Sequence, residues 1–366
     1  MSKVRVALIP EPLAPVEVRE VAEPELEQNS ALLEVELSEV CGTDVHLQQG
    51  RLAGVPYPLV PGHVSVGRLG KIRGRLSDVE GKPFAEGDRV TFLDVHRTCH
   101  ACWYCLVAKS STRCPARKVY GITYGLADGL SGGWAEKIYL KPGTRVLRLD
   151  GADAATFMAG GCALPTALHA VERAGVEIGD TVLVLGSGPV GLSSVIFALM
   201  RGALRVLCIG APAARLETAR MVGASATLDI ETHDEEQRAR WVLEQTRGRG
   251  ADVTIEATGA PQAVAQAMRY TRDAGRVSIV GQYTDHGEVS FNPHLDLNRK
   301  HLDVRGCWGS DFSHFYRGAQ LMADAARSRP WSLMKLERYG LSRANDALAD
   351  VASGRVVKAL IDPCID

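Results

Sequence analysis

The chain has 366 residues, and its 42 lysine and arginine residues nearly balance 43 aspartate and glutamate residues, for a formal net charge of -1. That length suits two domains, and the balanced charge provides no strong field for nucleic acid or an anionic membrane. The mean hydropathy of -0.04 argues against a bulk membrane protein. The N-terminus shows no apolar run of signal-peptide length, so we expect a cytoplasmic protein with no nucleic-acid and no membrane partner.

The first candidate ligands occur in short polar motifs of the N-terminal half. Residues 41–46 read CGTDVH, residues 61–64 read PGHV, and residues 161–166 read GCALPT. A lone cysteine or histidine is more often a buried core residue than a metal ligand. Whether these motifs carry chemistry therefore depends on what else the chain contains.

A cysteine-rich segment lies between the second and third of these motifs. Four of the nine cysteines of the chain fall within residues 99–114, at positions Cys99, Cys102, Cys105 and Cys114. Four thiolates with this spacing can surround one tetrahedral ion and leave no open position, which is typical of a structural zinc. Disulfides or incidental thiols are the alternatives, and His100 inside the motif is interpreted as a spacer.

A glycine motif follows an apolar run in the second half of the chain. Residues 181–191 read TVLVLGSGPVG, with Gly186, Gly188 and Gly191 in a G-x-G-x-x-G pattern around Pro189 and Val190. An apolar helix sequence follows directly, and this strand–turn–helix context predicts a dinucleotide-binding fingerprint. In it, the free N–H groups of the helix N-terminus face the pyrophosphate. The alternative is a plain glycine turn.

The next apolar strand bears on the choice between NAD and NADP. An acidic residue at its end would bind the ribose hydroxyls of NAD, but Gly210 stands there. Arg215 is a candidate for a 2'-phosphate contact, or else a helix-surface arginine. The choice stays open, with a slight preference for NADP.

Further strand patterns predict a doubly wound parallel sheet over this half of the chain. Ligands bind outside the carboxyl ends of such strands, so Thr258, Gly259, Val280 and Gly281 are candidate cofactor-lining residues. Simple strand termination explains them equally well.

Taken together and in this order, the motifs resemble those of the zinc-containing medium-chain alcohol dehydrogenases over essentially the whole chain. The resemblance implies a catalytic zinc held by Cys41, His63 and Cys162, with a fourth position open for substrate. It also implies that Thr43 takes the proton of the alcohol and that His46 exchanges it with solvent. Two zinc ions per chain and NAD or NADP are the implied cofactors.

Other positions follow from the same resemblance. Asp44 matches a carboxylate that orients the ligand histidine, Thr166 matches a residue beside the nicotinamide, and Lys358 matches a basic residue that can face the pyrophosphate. Relatives usually have Gly-His-Glu where this chain has Val64 after the histidine. That glutamate sits behind the zinc, so Val64 puts zinc affinity and substrate range in question.

The implied architecture is an α/β protein of two parts. A mainly antiparallel β, GroES-like catalytic domain covers residues 1–162, with the zinc lobe at about 95–116, and the chain returns to it over 304–366. A Rossmann domain covers residues 163–303. We expect substrate in the interdomain cleft, with Tyr57, Trp134 and Trp308 as candidate lining residues, and a homodimer or homotetramer.

The predicted reaction is hydride transfer between a secondary or cyclic alcohol and NAD(P)+, with a small-molecule alcohol or carbonyl compound as substrate. A carbonyl reductase running with NAD(P)H is the alternative within the same chemistry. A family member that kept the fold and lost catalysis is a third interpretation, which only Val64 supports.

Overall fold

The computed structural model describes residues 2–365, which form two compact units. Unit 1 comprises residues 2–162, 311–328 and 335–365, and unit 2 comprises residues 163–310 and 329–334. The chain therefore passes from unit 1 into unit 2 and back.

Runs of consecutive strands dominate the N-terminal part of the chain, and strands mostly alternate with helices after residue 163. In chain order the strands are β1 (Lys3–Leu8), β2 (Glu17–Ala22), β3 (Ser30–Val40), β4 (Ser65–Arg73), β5 (Arg89–Phe92), β6 (Val95–Arg97), β7 (Lys118–Val119), β8 (Lys137–Leu140), β9 (Val146–Arg148), β10 (Thr181–Leu185), β11 (Arg205–Gly210), β12 (Ala226–Asp229), β13 (Ala251–Glu256), β14 (Thr271–Ile279), β15 (Asp303–Gly306), β16 (Leu336–Tyr339) and β17 (Lys358–Ile361). The helices are α1 (Gly42–Gln48), α2 (Trp103–Leu106), α3 (Ala154–Gly160), α4 (Ala163–Ala174), α5 (Pro189–Met200), α6 (Ala213–Met221), α7 (Glu235–Gln245), α8 (Pro261–Tyr270), α9 (Phe312–Met322), α10 (Ala325–Ser332) and α11 (Ala344–Ala352).

Unit 1 is built on a mainly antiparallel sheet with strand order β16-β17-β3-β4-β5-β9, and β8 also pairs with β3. The long strand β3 is central because it contributes to two apolar cores, with Leu33 and Val35 in one and Leu32 and Val40 in the other, which also contains the fully buried Trp134. Strand β17, from the C-terminal part of the chain, pairs antiparallel with the end of β3. Two small antiparallel pairs, β1–β2 and β6–β7, complete the unit.

Unit 2 contains a parallel sheet with strand order β12-β11-β10-β13-β14-β15. Numbered by position in the chain, this order is 3-2-1-4-5-6, the doubly wound arrangement of dinucleotide-binding domains. The predicted fold class is confirmed. Strand β15 pairs with β14 as the sixth strand, so this unit runs past the predicted boundary at residue 303.

The central strands β10, β11 and β13 consist largely of buried residues, because helices cover such sheets on both faces. Strand β10, with the sequence TVLVL, is buried from its second residue onward. In unit 2 the side chain of Trp331 is also fully buried, and its indole nitrogen donates to the Ser193 hydroxyl at 3.1 Å.

Among residues 2–365, no single helix has the length and apolar composition needed to cross a membrane. The pair formed by α3 and α4 passes that test of length and composition when its two helices are taken together.

Candidate functional site

Unit 1 brings three predicted ligands together. Donor atoms of Cys41, His63 and Cys162 all lie within 4.8 Å of one another. Cys41 is the N-cap of α1, where its sulfur accepts a hydrogen bond from the Thr43 N–H at 3.3 Å. Cys162 follows the C-terminal end of α3. These are the three residues that the resemblance implies as ligands of a catalytic metal.

Asp44 ties two of the ligand-bearing loops together. Its carboxylate accepts hydrogen bonds from the N–H of Cys41 at 2.8 Å and from the N–H of Gly62 at 3.4 Å. The side chain is fully buried, and burial raises the pKa of this carboxyl. Sequence reasoning expects Asp44 to orient His63, and the structure shows an indirect route through the main chain of Gly62.

His63 is buried among negative groups. Burial alone would lower its pKa, but the charges of Cys41 and Asp44 outweigh burial and raise the pKa to about 9. Within residues 2–365, its Nδ1 atom has no hydrogen-bond partner. A buried unsatisfied imidazole nitrogen is rare in native structures. Together with two nearby sulfurs it suits a divalent ion such as zinc, which takes nitrogen and sulfur ligands.

Cys162 is hydrogen-bonded to the carboxylate of Glu39, a residue that sequence reasoning missed. Its N–H donates to Glu39 Oε2 at 2.7 Å, and its thiol donates to Glu39 Oε1 at 3.0 Å. Glu39 also forms an ion pair with Lys358, and both side chains are almost completely buried.

The position of Lys358 corrects the expectation that this residue faces the cofactor pyrophosphate. The residue is 1% exposed and pairs with Glu39 in unit 1. A lysine is almost never fully buried unless it is paired, and this pairing accounts for its location.

Thr43 and His46 lie one turn apart on α1. Residues three apart on a helix lie on the same face, so both side chains are on the face that begins at the ligand Cys41. Both are half-buried. This placement is compatible with the predicted proton transfer.

The cysteine lobe forms the second cluster of thiols. The four sulfur atoms lie within 4.8 Å of one another, with Cys99 to Cys114 at 3.5 Å and Cys102 to Cys105 at 3.6 Å. Tetrahedral zinc with Zn–S bonds of about 2.3 Å places its sulfur ligands about 3.8 Å apart. A backbone hydrogen bond from Ala101 lowers the pKa of Cys99 to about 6, whereas burial raises the pKa of Cys105, so the thiols of the lobe differ in how readily they lose a proton. All nine cysteines are free, so the disulfide alternative is wrong.

The glycine motif forms the predicted turn between β10 and α5. Gly186 has φ +111°, a left-handed conformation that glycine adopts without strain. A Cβ on Gly191 would lie 1.9 Å from the Gly186 carbonyl oxygen, which explains the close approach of helix to strand. Nothing lies within 4 Å of a Cβ built on Gly188, so its main chain is open to a ligand. Pro189 and Val190 open α5 and are half-buried.

A cavity of about 370 Å³ lies beyond the carboxyl ends of β10, β11 and β13 in unit 2. Gly186, Gly188, Gly210 and Thr258 line it, as do Arg215 and several residues of the following helices. The cavity lies where a dinucleotide is expected to bind, because β10 and β13 flank the point at which the strand order reverses.

This cavity presents positive charge and no carboxylate. Arg215 from α6 and Arg238 from α7 line it, and none of its described lining residues is Asp or Glu. A Cβ on Gly210 would come within 2.5 Å of the Ser187 hydroxyl oxygen, so an acidic side chain does not fit there. Sequence reasoning missed Arg238, because only the packing of α7 brings it to this edge.

The turn after β13 is organised by a second buried carboxylate. Glu256 Oε1 accepts hydrogen bonds from the Thr258 N–H at 2.7 Å, from the Thr258 hydroxyl at 2.6 Å and from the Gly259 N–H at 3.2 Å. Val280, 8% exposed, donates its N–H to the Glu256 carbonyl. Thr258 thus lines the cavity, whereas Val280 is mainly packed beside the turn.

Two other predicted residues have separate locations. Thr166 lies in the first turn of α4 and is half-buried. Trp134 is fully buried, and its indole nitrogen donates to the Glu39 carbonyl at 2.9 Å, so it is a core residue and not an exposed wall of a cleft.

Comparisons with known proteins give the family. An alcohol dehydrogenase GroES-like domain matches residues 27–151, and a zinc-binding dehydrogenase domain matches residues 189–324. 5-exo-hydroxycamphor dehydrogenase from Pseudomonas putida is 33% identical over 335 residues, which cover 91% of both chains. Erythritol/L-threitol dehydrogenase from Mycolicibacterium smegmatis is 30% identical over 354 residues, which cover 92% of this chain and 91% of the relative.

The chain belongs to the zinc-containing medium-chain dehydrogenases. Solved structures agree: an alcohol dehydrogenase from Thermotoga maritima has a TM-score of 0.92 at 31% identity, covering 99% of this chain and all of the other. A zinc-binding dehydrogenase from Sinorhizobium meliloti, solved with NADP bound, has a TM-score of 0.85 at 27% identity, with 99% and 100% coverage.

Membership of this family confirms the predicted reaction class. The protein is a zinc-dependent alcohol dehydrogenase, an oxidoreductase that moves hydride between an alcohol and a nicotinamide dinucleotide. Its two cysteine-containing clusters fit zinc by donor type and spacing.

Proposed function

We propose that Cys41, His63 and Cys162 hold the catalytic zinc of this dehydrogenase and that the four cysteines of the lobe hold a structural zinc. The observation that carries the proposal is the convergence of two thiols and a buried imidazole within 4.8 Å. Three protein ligands leave one position for substrate, whereas four thiolates leave none. When bound, the catalytic zinc supplies Lewis acidity that makes the alcohol more acidic.

The residues of α1 provide the accompanying proton transfer. Thr43 is bound to Cys41 through its N–H and offers a hydroxyl beside the ligand. His46, one turn along, offers an imidazole that can take up and release a proton. The Thr43 hydroxyl accepts the proton of the alcohol as it gives up its own, and His46 takes up the released proton and passes it to solvent.

We infer that the substrate is a secondary or cyclic alcohol. One relative is named for 5-exo-hydroxycamphor, which is a cyclic secondary alcohol, and another for erythritol and L-threitol, whose inner hydroxyls are secondary. By microscopic reversibility the same residues serve reduction of the corresponding ketone, so a physiological carbonyl reductase would use the same site.

NADP is the favoured cofactor. The cavity beyond β11 carries Arg215 and Arg238, and Gly210 leaves no space for the acid that would repel a 2'-phosphate. Two guanidinium groups suit a phosphate because arginine donates several hydrogen bonds in a fixed planar geometry. The structural relative from Sinorhizobium meliloti has NADP bound.

The placement of Thr166 beside the nicotinamide, the homodimeric or homotetrameric state and the cytoplasmic location stay predictions.

The test of the metal assignment is His63→Ala, with zinc counted by elemental analysis on protein purified without added metal or chelator. We expect two zinc ions per chain in the wild type and one in the variant. Turnover of a panel of secondary alcohols should be lost, while NADPH binding, followed by its fluorescence, persists.

His100→Ala is the matched control, because this histidine lies within the cysteine lobe and outside both ligand sets. It should keep two zinc ions and wild-type turnover. Turnover retained by His63→Ala would contradict the assignment. A wild type that holds one zinc and gains no activity on addition of zinc would contradict it as well.

A further inference from the structure

The buried ion pair between Glu39 and Lys358 has no place in the chemistry described so far. Glu39 is 0% exposed and Lys358 is 1% exposed. They come from the end of β3 and the start of β17, which pair antiparallel, with Leu360 opposite Glu39. Removing two charges from water is costly, and a buried ion pair is on its own weak evidence of stabilisation. The presence of this pair therefore needs an explanation other than stabilisation of the fold.

The carboxylate of Glu39 is in contact with one ligand of the metal site. Both of its oxygens are used, one by the Cys162 N–H at 2.7 Å and the other by the Cys162 thiol at 3.0 Å. The N–H contact fixes the main chain of the ligand. The thiol contact holds the sulfur while it is protonated, because a zinc-bound thiolate has no hydrogen to donate. Metal ligands are commonly oriented in this way by a hydrogen-bonded group behind them.

The main chain of Glu39 reaches the other two ligands. Its N–H donates to the carbonyl of Val64 at 3.0 Å, directly after His63, and Cys41 follows two residues later in the chain. The Trp134 indole donates to its carbonyl at 2.9 Å. Glu39 is therefore hydrogen-bonded to Cys162 directly, hydrogen-bonded to the residue that follows His63, and two residues from Cys41 in the chain.

The packing around the pair is too tight for substitution nearby. A Cβ on Gly161 would lie 2.3 Å from Glu39 Oε2 and 2.7 Å from Lys358 Nζ. Gly161 also has φ +49°, in the left-handed region. The residue before the ligand Cys162 is thus confined to glycine by the ion pair itself.

Charge balance is consistent with a role at the metal. Two thiolates and a neutral imidazole offset the two charges of a zinc ion, and Glu39 with Lys358 adds no net charge to the buried set. The position directly after His63 is occupied by the apolar and buried Val64, so it supplies no carboxylate. A carboxylate behind the ligands is nevertheless present, and it comes from β3.

We propose that Glu39, paired with Lys358, is the positioning residue of the predicted catalytic zinc site. It fixes the main chain of Cys162, holds the protonated thiol before zinc binds, and supplies from β3 the carboxylate that Val64 does not. This inference rests on the proposed function, because it takes Cys41, His63 and Cys162 as zinc ligands.

The test replaces the pair by neutral side chains, since removal of one partner alone would leave an unpaired buried charge. Glu39→Leu with Lys358→Met removes both contacts to Cys162, whereas Glu39→Gln with Lys358→Met keeps an amide oxygen that can accept from the Cys162 N–H. Zinc affinity is measured by competition with a chromogenic chelator. The alkylation rate of Cys162 in zinc-free protein is measured by peptide mass spectrometry.

We expect the leucine variant to bind its more weakly held zinc about 10–100-fold less tightly, as removal of groups that orient metal ligands does elsewhere. The glutamine variant should lie between it and the wild type. The zinc of the cysteine lobe should be unaffected in both, and Cys162 should be alkylated faster in both. The matched control is Glu23→Leu with Lys137→Met, which removes another carboxylate of unit 1 and one of its two lysine partners, the exposed Lys71 being the other. None of these residues belongs to either thiol cluster.

Wild-type zinc affinity and wild-type Cys162 reactivity in the leucine variant would overturn the proposal. Failure of the proposed function has a different signature, namely a wild type that binds a single zinc. The alkylation rate of Cys162 in zinc-free protein would still show in that case whether Glu39 positions this thiol, and an unchanged rate would count against it.

Discussion

Two arginines dominate the charge of the cofactor cavity at the scale of single residues. Arg215 lies in the first turn of α6 and Arg238 in α7, and both line the space beyond Gly210. Hydrogen bonds to charged groups contribute about 1.5–3 kcal/mol each. A 2'-phosphate bound here would gain that amount from each arginine, and a cofactor without the phosphate would gain little.

Replacement of Arg215 or Arg238 by alanine should therefore weaken the binding of NADP+ and leave the binding of NAD+ almost unchanged. We expect the KM for NADP+ to rise by about 10–100-fold in each variant, with a change of less than about threefold for NAD+. The measurement is steady-state kinetics with both cofactors at saturating alcohol.

Arg240→Ala is the control, because this exposed arginine is on α7 and does not line the cavity. Equal losses for both cofactors in the Arg215 or Arg238 variant would refute the assignment of a phosphate contact.

At the scale of elements, the cysteine lobe differs from the rest of unit 1. Helix α2 has no buried residue, and Trp103, Leu106 and Val107 are 62%, 56% and 62% exposed. The short pair β6–β7 closes the base of the lobe. With so little apolar burial, the thiol cluster is the main source of order, since metal binding can supply folding free energy directly.

Cys105→Ser should remove one zinc per chain and loosen this lobe while the remainder of the fold persists. A loss of about 1–2 kcal/mol would lower the Tm by roughly 2–8 °C, and protease cleavage should appear within residues 99–114. Calorimetry and limited proteolysis measure both effects.

Cys364→Ser, at an exposed cysteine outside both clusters, should leave the zinc content, the Tm and the proteolytic pattern unchanged. If Cys105→Ser behaved in the same way, the lobe would owe its order to something other than a metal.

At the scale of the whole molecule, the two kinds of site belong to different compact units. Both thiol clusters lie in unit 1, and every residue that lines the cofactor cavity lies in unit 2. Unit 2 has its own apolar core around β10, β11 and β13. Its fold and its cavity therefore need no contribution from the metal ligands.

Removal of both zinc ions with a chelator should abolish turnover and leave NADPH binding within about twofold of the native affinity, since no cavity residue is a zinc ligand. Fluorescence titration before and after chelation measures the affinity, and re-addition of zinc should restore activity. Loss of NADPH binding on chelation would show that the two units depend on each other for folding.

Much of the site could be predicted from local sequence. The glycine motif, the spacing of the lobe cysteines and the apolar strand before Gly186 each depend on residues close together in the chain, and all form the expected structures. Even Glu39 could have been noticed in the sequence, because it continues the alternating series of the buried Leu33, Val35 and Leu37 along β3. An acid on the apolar face of a strand indicates a buried partner.

The partner itself could not be predicted. Lys358 lies 319 residues from Glu39, and only the register of β17 against β3 brings the two together. The same holds for Arg238, which reaches the cofactor cavity through the packing of α7, and for Trp134, which packs in the core. The sequence alone determined the ligand types, their spacing and the glycine turn, because local geometry sets these. Tertiary structure decided which distant charges meet, because sheet register and helix packing depend on the whole chain.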